Sequence, residues 1–323
     1  MSKKLGLALG SGAPRGLAHI GVLKALDEAG VKVDAVAGTS MGAVIAALYA
    51  CGYSGKQIEE LALTTQWHRL IDFTVPKTGF IAGRKLERYL RKILKYKNFE
   101  DLEKELYIVA TEVNKAERVV FSKGDIAKAL KASVAIPGIM HPVKTDGMLL
   151  VDGGAVDPVP VDVLKEKRVP KIIAVDLSFN LKHLFAKKGI RRSKTFTEIM
   201  KEALITSQID FFKNLVFEGK IKVPSYIKWI VSKMNPEKWV NRIMKLVAGR
   251  QIPEIVKIYT LALGIATNEL SRTKLRLSNP DIIINPGYGG VSWEDFHETR
   301  KMIKLGYDVA KKHMHDIRKL YEK

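Results

Sequence analysis

The stretch LGLALGSGAPRGLAHIGVLKAL, residues 5–26, decides the fold of this chain. Its first part, 5–9, is a short apolar run typical of a buried strand, and it leads directly into a loop with three glycines. Residues 17–30 then place apolar side chains at helical spacing and end on a glycine, as helices commonly do. A strand, a glycine-rich loop and a helix in this order predict the first unit of a parallel α/β sheet.

The second unit repeats this order with a serine at the turn. Residues 33–38 are predicted to form a strand, 39–52 a helix, and the junction between them reads G-x-S-x-G with Ser40 at its centre. Gly38 and Gly42 flank the serine where strand and helix approach too closely for a side chain. Such a turn holds a serine hydroxyl clear of the sheet, at the positive end of the following helix. We therefore expect Ser40 to be a nucleophile.

The first glycine loop resembles nucleotide-binding loops, but its surroundings do not fit them. A dinucleotide site needs an acidic residue at the far end of the second strand, whereas Asp34 stands at the near end. A P-loop closes on Gly-Lys followed by Ser or Thr, whereas this loop closes on Arg15, Gly16 and Leu17. Because the ends of adjacent parallel strands lie side by side, the loop amides are predicted to face Ser40 and hold an oxyanion.

A nucleophilic serine needs a base, and an aspartate is the better placed candidate. Asp152 ends the predicted strand 148–154 and is followed by Gly153 and Gly154, which let another backbone come close. Among the histidines, His141 is the loop residue that remains an alternative base, as in a Ser-His-Asp esterase. The seven histidines are His19, His68, His141, His183, His297, His313 and His315.

The rest of the chain continues the α/β pattern. Apolar spacing predicts mostly helical structure over 55–105, strands at 106–113, 118–122 and 171–178, a helix before Pro137, and one long amphipathic helix over 296–321. The predicted fold is a three-layer α/β/α sandwich with a mainly parallel central sheet and a helical insertion. We expect one catalytic domain, 1–323, that carries this insertion.

Composition argues against several classes of protein. The single cysteine, Cys51, fits a reducing compartment, and no apolar stretch approaches the length of a membrane span. The apolar run before Gly10 is too short for an export signal. No cluster of His, Cys and Asp has metal-ligand spacing, so we expect neither a metal nor another cofactor. The expected location is the cytoplasm, with peripheral contact at a membrane surface.

Positive charge is concentrated in one segment. The whole chain carries a net charge of +20, and residues 182–250 hold 16 Lys and Arg against 5 Asp and Glu. Within this segment, 225–234 and 236–247 are amphipathic patterns with tryptophans and other apolar residues opposite lysines and arginines. No recognition motif for nucleic acid accompanies the charge. The segment is predicted to cap the Ser40 cleft and dock on anionic lipid, the alternative being an ordinary amphipathic helix pair packed on the core.

Four ordered blocks together resemble the patatin-like phospholipases, especially their short prokaryotic branch. These blocks are GSGAPRGLAHIGVL, GTSMGA, ASVAIPGIMHPV and VDGGAVDPVPV, and the resemblance resumes at 279–296 and in the terminal helix. It implies a Ser-Asp dyad without histidine, an oxyanion hole in the first glycine loop, and no metal. By position, Ser40 is the nucleophile and Asp152 the general base. The implied oxyanion loop comprises Gly10, Gly12, Ala13, Arg15 and Gly16.

The loop of this chain is one residue longer than the G-x-G-x-x-G form of that family, so the two inward-pointing amides are left open at this point. The expected reaction is hydrolysis of an acyl ester through an acyl-enzyme, with a phospholipid favoured over a neutral lipid or small ester as substrate. A non-enzymatic membrane-binding regulator is the other class considered. It would be expected to have an impaired site, yet both dyad residues are present.

Overall fold

The computed structural model describes residues 4–178 (without 73 and 75–77), 254–287 and 296–322. Within these residues eight strands form one sheet. The strands are β1 Leu5–Leu9, β2 Ala35–Thr39, β3 Glu105–Glu112, β4 Glu117–Phe121, β5 Val143–Thr145, β6 Met148–Asp152, β7 Lys171–Val175 and β8 Ile282–Ile284.

The same described residues contain nine α-helices, joined by short 3₁₀ turns. The helices are α1 Ala18–Glu28, α2 Met41–Ala50, α3 Gly55–Thr64, α4 Arg84–Ile93, α5 Ile126–Ser133, α6 Val161–Glu166, α7 Glu254–Ser278, α8 Thr299–Lys312 and α9 Met314–Glu322. The predicted strands and the helices beside the two glycine turns are present within two residues of their expected ends, except that β7 ends at Val175, three residues before the predicted end at 178.

Two helical predictions were wrong in extent. The stretch predicted as mostly helical is divided into α3 and α4, because Thr65 turns to an extended conformation and α4 starts only after Gly83. The predicted terminal helix is broken at His313, after which Met314 and Ile317 of α9 are buried in the core. Amphipathic spacing continues across both breaks, so the periodicity alone did not locate them.

The sheet is mixed but mostly parallel, as predicted. Its order is β5-β6-β3-β2-β1-β7-β8, with β4 paired to the remaining edge of β3. The five strands β3, β2, β1, β7 and β8 run parallel. The strands β4, β5 and β6 are antiparallel to their neighbours at one side of the sheet. The first and second units of the sequence therefore lie at the centre, where β1 and β2 pair directly.

Alternation along β1 separates the two faces of the sheet. Leu5, Leu7 and Leu9 pack with side chains of α1, α2, α5 and α8 on one face, whereas Ala8 packs on the other face with α6 and with Leu275 of α7. Successive residues of a strand point to opposite faces, and helices cover both faces here, so all four β1 side chains are fully buried. Helices on both sides of the sheet give the predicted three layers.

The strand β3 brings two distant strand ends together. Its edge toward β2 pairs in parallel over 105–109, and β6 pairs antiparallel over 110–112. Because β4 occupies the opposite edge along 108–112, β2 and β6 must share one edge of β3. They therefore run toward each other and end at neighbouring positions on it.

The predicted insertion, 182–250, lies outside the described residues. No helix of the described ranges combines the length and the apolar character that crossing a bilayer demands.

Candidate active site

Ser40 and Asp152 are close together because the strands β2 and β6 end side by side. The last residue of β2, Thr39, pairs with Val109, and the last residue of β6, Asp152, pairs with the next residue of β3, Ala110. Ser40 comes directly after Thr39. Two segments more than a hundred residues apart in sequence are thus placed side by side by consecutive residues of one strand.

Ser40 adopts the sharp turn that the glycines predicted. It is the N-cap of α2, with φ 56° and ψ −124°, a left-handed φ that is costly for a residue with a side chain. A Cβ on Gly42 would lie 2.2 Å from the carbonyl oxygen of Leu9, and one on Gly38 would lie 2.5 Å from Cα of Ala43. The turn therefore needs glycine on both sides of the serine.

The side chains of Ser40 and Asp152 are hydrogen bonded. Ser40 Oγ donates to Asp152 Oδ2 at 2.6 Å, and both residues are buried. The other carboxylate oxygen accepts from the Gly154 amide at 2.8 Å. Gly153 fits against β3, where a Cβ would lie 2.4 Å from the carbonyl oxygen of Val109. The two glycines after Asp152 thus hold the carboxylate and permit the close approach that the sequence indicated.

Burial changes the acidity of this carboxyl group. The removal of Asp152 from water raises its pKa to about 6, although the hydrogen bonds from Ser40 and the Gly154 amide favour the charged form. A carboxylate with a raised pKa is a stronger proton acceptor than an ordinary one and is still ionised at neutral pH. The pair can therefore move a proton from a serine hydroxyl to a carboxylate.

Two amides of the glycine loop are used in holding the loop. The Gly10 amide donates to the carbonyl oxygen of Val175 at 3.0 Å, and the Ser11 amide donates to that of Pro158 at 2.8 Å. These bonds tie the loop to the end of β7 and to the chain before α6. Neither amide is available to a ligand.

The next two amides of the loop have no such acceptor among the described residues. Within the described part of the chain, the amides of Gly12 and Ala13 donate to no carbonyl or side chain. Pro14 has no N–H, and the Arg15 amide donates back to the Gly12 carbonyl at 3.0 Å. Ala13 has a φ of 46°, so adjacent amides are presented by a bent backbone. Gly12 and Ala13 are therefore the pair of loop donors that remain for an oxyanion.

Close packing places this loop against the serine turn. A Cβ on Gly16 would lie 2.4 Å from Cγ of Met41, the residue that follows Ser40. Only glycine at this position lets the loop approach the start of α2 so closely. The loop and the serine belong to one site.

A buried histidine supports the loop from beneath. His19 is fully buried, and its Nε2 donates to the Gly10 carbonyl oxygen at 2.7 Å. Burial lowers the pKa of His19 to about 4, outweighing the Gly10 carbonyl and the charge of Asp176, so the ring is neutral. The sequence placed His19 on the first predicted helix without showing what its side chain contacts.

The histidine alternative is not supported by the contacts. His141 Nδ1 lies 3.1 Å from Thr78 Oγ1, and His19 bonds to Gly10. Of the other histidine positions, His68 lies in the 3₁₀ turn Trp67–Leu70, His297 in the turn before α8, and His313 and His315 at the junction of α8 and α9. His183 falls outside the described residues. The hydrogen-bond partner of Ser40 Oγ is Asp152.

Sequence reasoning missed two residues beside the dyad. Ser133 Oγ accepts from the Ser40 amide at 2.9 Å, and Thr111 Oγ1 donates to the Asp152 carbonyl at 2.9 Å. Ser133 belongs to the block ASVAIPGIMHPV, where a serine interrupts an apolar helical face, and that interruption was the available signal. The role of Thr111 had no visible signal, because threonine is ordinary in a strand.

Parts of this chain are similar to known proteins. Residues 7–165 match the model of the family described as Patatin-like phospholipase. Similar relatives include "Lysophospholipase NTE1" of Candida albicans, 31% identical over 182 residues, and "Patatin-like phospholipase domain-containing protein 6" of Homo sapiens, 35% identical over 181. Each alignment covers 54% of this chain and 13% of the relative, so the chain spans a small part of their length.

A solved structure of VipD from Legionella pneumophila is also similar, at 14% identity and a TM-score of 0.45. The match covers 97% of this chain and 66% of that one. Fold and site together define an α/β protein with a serine on a strand–helix turn and an aspartate as its partner. Through residues 7–165, the chain belongs to the patatin-like phospholipase family.

Proposed function

We propose that this protein is a serine acyl-ester hydrolase in which Ser40 is the nucleophile and Asp152 the general base. The 2.6 Å hydrogen bond between Ser40 Oγ and Asp152 Oδ2 supports this most directly. The raised pKa of Asp152 and the open amides of Gly12 and Ala13 add a base and an oxyanion hole. Membership of the family agrees with ester hydrolysis.

In the first half of the reaction, Asp152 accepts the proton of Ser40 Oγ as this oxygen attacks the acyl carbon. The carbonyl oxygen becomes an oxyanion that the amides of Gly12 and Ala13 stabilise. Donors of this kind contribute about 10²–10³-fold each. The C–O bond to the alcohol then breaks, and protonated Asp152 returns its proton to the leaving alkoxide. The acyl group remains on Ser40.

The second half releases the acid. Asp152 takes a proton from a water molecule, which attacks the acyl carbon of the ester on Ser40. The same two amides stabilise the second oxyanion, and Ser40 recovers its proton from Asp152 as the C–Oγ bond breaks. A carboxylic acid leaves, and the free enzyme is restored.

For substrate, we propose a phospholipid or lysophospholipid. The family description and the names of the relatives, which include lysophospholipases, support this class. The proposed contact with an anionic membrane rests on the sequence of 182–250, where 16 basic residues accompany apolar and aromatic ones. The substrate classes can be compared by measuring hydrolysis with one protein preparation. The substrates are lysophosphatidylcholine, phosphatidylglycerol vesicles, a triglyceride emulsion and a short p-nitrophenyl ester.

The direct test of the function is covalent labelling of the purified full chain with a fluorophosphonate. We expect one adduct, on Ser40, and parallel loss of ester hydrolysis. Ser40→Ala should neither label nor hydrolyse while keeping the circular dichroism spectrum and melting temperature close to those of the unchanged protein. More than a trace of activity in Ser40→Ala, or an adduct elsewhere that tracks inactivation, would contradict the proposal.

A further inference from the structure

The end of α5 bonds to the backbone of both proposed dyad residues. Ser133 Oγ accepts from the Ser40 amide, and two residues later the Ala135 carbonyl accepts from the Asp152 amide, each at 2.9 Å. The three residues 133–135 therefore connect the ends of β2 and β6. The second bond uses only backbone atoms, whereas the first depends on the identity of residue 133.

The Ser40 amide needs such an acceptor. The ladder between β2 and β3 ends at Thr39, and Ser40 is 6% exposed, so water cannot readily replace a protein partner. Ser40 also holds the costly φ of 56°, which persists only where surrounding contacts enforce it. A hydrogen bond to the amide of this residue restrains the backbone angle that aims its hydroxyl.

Serine at position 133 is otherwise unfavourable. The residue is fully buried, and its helical neighbours Ala129 and Ala132 are also buried. Burying the hydroxyl of a serine costs free energy unless the group is hydrogen bonded. Packing alone would therefore favour alanine. The hydrogen bond from the Ser40 amide accounts for an oxygen at this position.

We propose that Ser133 is a positioning residue for the reaction: its Oγ holds the Ser40 amide, and through it the strained turn that directs the nucleophile toward Asp152. This inference rests on the proposed function. Ser133 does not touch the reacting atoms itself. Its removal should lower the rate of attack by Ser40 while leaving substrate binding nearly unchanged.

The test compares Ser133→Ala and Ser133→Cys with the unchanged full chain, using a short soluble p-nitrophenyl ester. Cysteine has nearly the volume of serine but a weak acceptor, so it separates the hydrogen bond from the filling of space. We expect kcat to fall about ten- to hundred-fold in both variants, as for a buried donor left unpaired, with KM within twofold. The rate of fluorophosphonate labelling at Ser40 should fall by the same factor.

Ser278→Ala is the matched control. Ser278 is also a buried helical serine, and its Oγ donates to Asp162 Oδ1 at 2.5 Å, at the end of α7. This variant should keep kcat within twofold even where its melting temperature drops as much as that of Ser133→Ala. Equal losses of kcat in Ser278→Ala and Ser133→Ala would overturn the inference, since they would reflect general destabilisation.

Retention of kcat within twofold in folded Ser133→Ala would also overturn it. If that variant does not fold, the same criterion applies to Ser133→Cys. Ser40→Ala, measured alongside, separates the two proposals. An inactive Ser40→Ala with a fully active Ser133→Ala refutes the positioning role alone, whereas an active Ser40→Ala refutes the proposed function.

Discussion

Ser40 Oγ and Asp152 Oδ2 are 2.6 Å apart although 112 positions separate the two residues in sequence. Their contact follows from β3, which pairs with Thr39 at Val109 and with Asp152 at Ala110. A parallel and an antiparallel neighbour thus meet end to end along one edge of one strand. The site is built from regular sheet pairing, and its chemistry can be tested residue by residue.

Activity should depend on the ionisation of Asp152. Since burial raises its pKa to about 6, the carboxylate is protonated below that pH and cannot accept the serine proton. We expect kcat/KM for a non-titrating ester to rise tenfold per pH unit below about 6 and to level off above it. A rate that is flat between pH 4.5 and 7 would exclude Asp152 as the titrating base.

Asp152→Asn should remove the base while keeping its shape. The variant amide can still accept the Gly154 N–H, but it cannot take a proton from Ser40. We expect kcat to fall about 10²–10⁴-fold, the usual contribution of general base catalysis. Steady-state kinetics above pH 7 measure the loss, with circular dichroism as the check on folding. Activity within tenfold of the unchanged protein would assign the base to another group.

The same substitution should stabilise the fold in a pH-dependent way. The pKa of Asp152 is higher in the folded chain than the ordinary value of 3.8, so ionisation opposes folding. The contribution of Asp152 to the free energy of unfolding is therefore most favourable below about pH 4, where the carboxyl group is protonated in the folded chain. This contribution is lost as the pH rises through about 6. At pH 8, Asp152→Asn should therefore have a higher free energy of unfolding than the unchanged protein, by at most about 3 kcal/mol.

That gain should largely disappear at pH 4, where Asp152 is protonated in the folded chain and, with the ordinary pKa of 3.8, only partly ionised in the unfolded chain. Urea titrations at the two pH values give the comparison, and subtracting the unchanged protein cancels the other titrating groups. A stabilisation of equal size at both pH values would show that ionisation of Asp152 is not its cause.

His19→Leu should impair the oxyanion loop without abolishing the reaction. It removes the N–H that donates to the Gly10 carbonyl, and we expect kcat to fall about tenfold, the equivalent of one modest hydrogen bond. His19→Gln retains a donor and should recover part of the loss. Tyr53→Phe is the control, because Tyr53 Oη donates to the Ile93 carbonyl at a similar 2.8 Å, away from the loop. Equal kinetic losses in the two variants would point to stability instead.

His141→Ala should stay active. The His141 ring lies against Thr78, not against the Ser40–Asp152 pair. We expect kcat on a short soluble ester within threefold of the unchanged protein. A folded His141→Ala as inactive as Ser40→Ala would replace the proposed dyad by a triad.

The basic segment gives a prediction from sequence alone. Changing Trp229 and Trp239 to alanine removes aromatic groups from the apolar sides of its two amphipathic patterns. We expect weaker co-sedimentation with phosphatidylglycerol vesicles at moderate salt and slower hydrolysis of aggregated lipid, with activity on a short soluble ester retained. Equal vesicle binding by the double variant and the unchanged protein would end this hypothesis.

Local sequence determined the central part of the fold. The parallel core, the Ser40 turn and the candidate base were predicted from a short apolar run in β1, glycines at each strand–helix junction, and an aspartate followed by two glycines. These features are local, since each reflects the backbone conformation or burial of residues within one element. The family resemblance pointed to the same pair.

Only the tertiary structure decided how these pieces meet. Nothing in the pattern of β6 states that it lies antiparallel on the edge of β3 that β2 also uses, because side-chain alternation does not identify a strand's partner. The amides of Gly10 and Ser11 donate to carbonyl oxygens more than 140 positions away, which leaves the amides of Gly12 and Ala13 available. Ser133 and His19 act on Ser40 and Gly10 through single contacts to backbone atoms. Every residue offers such atoms, so the sequence carries no mark of which one is bound.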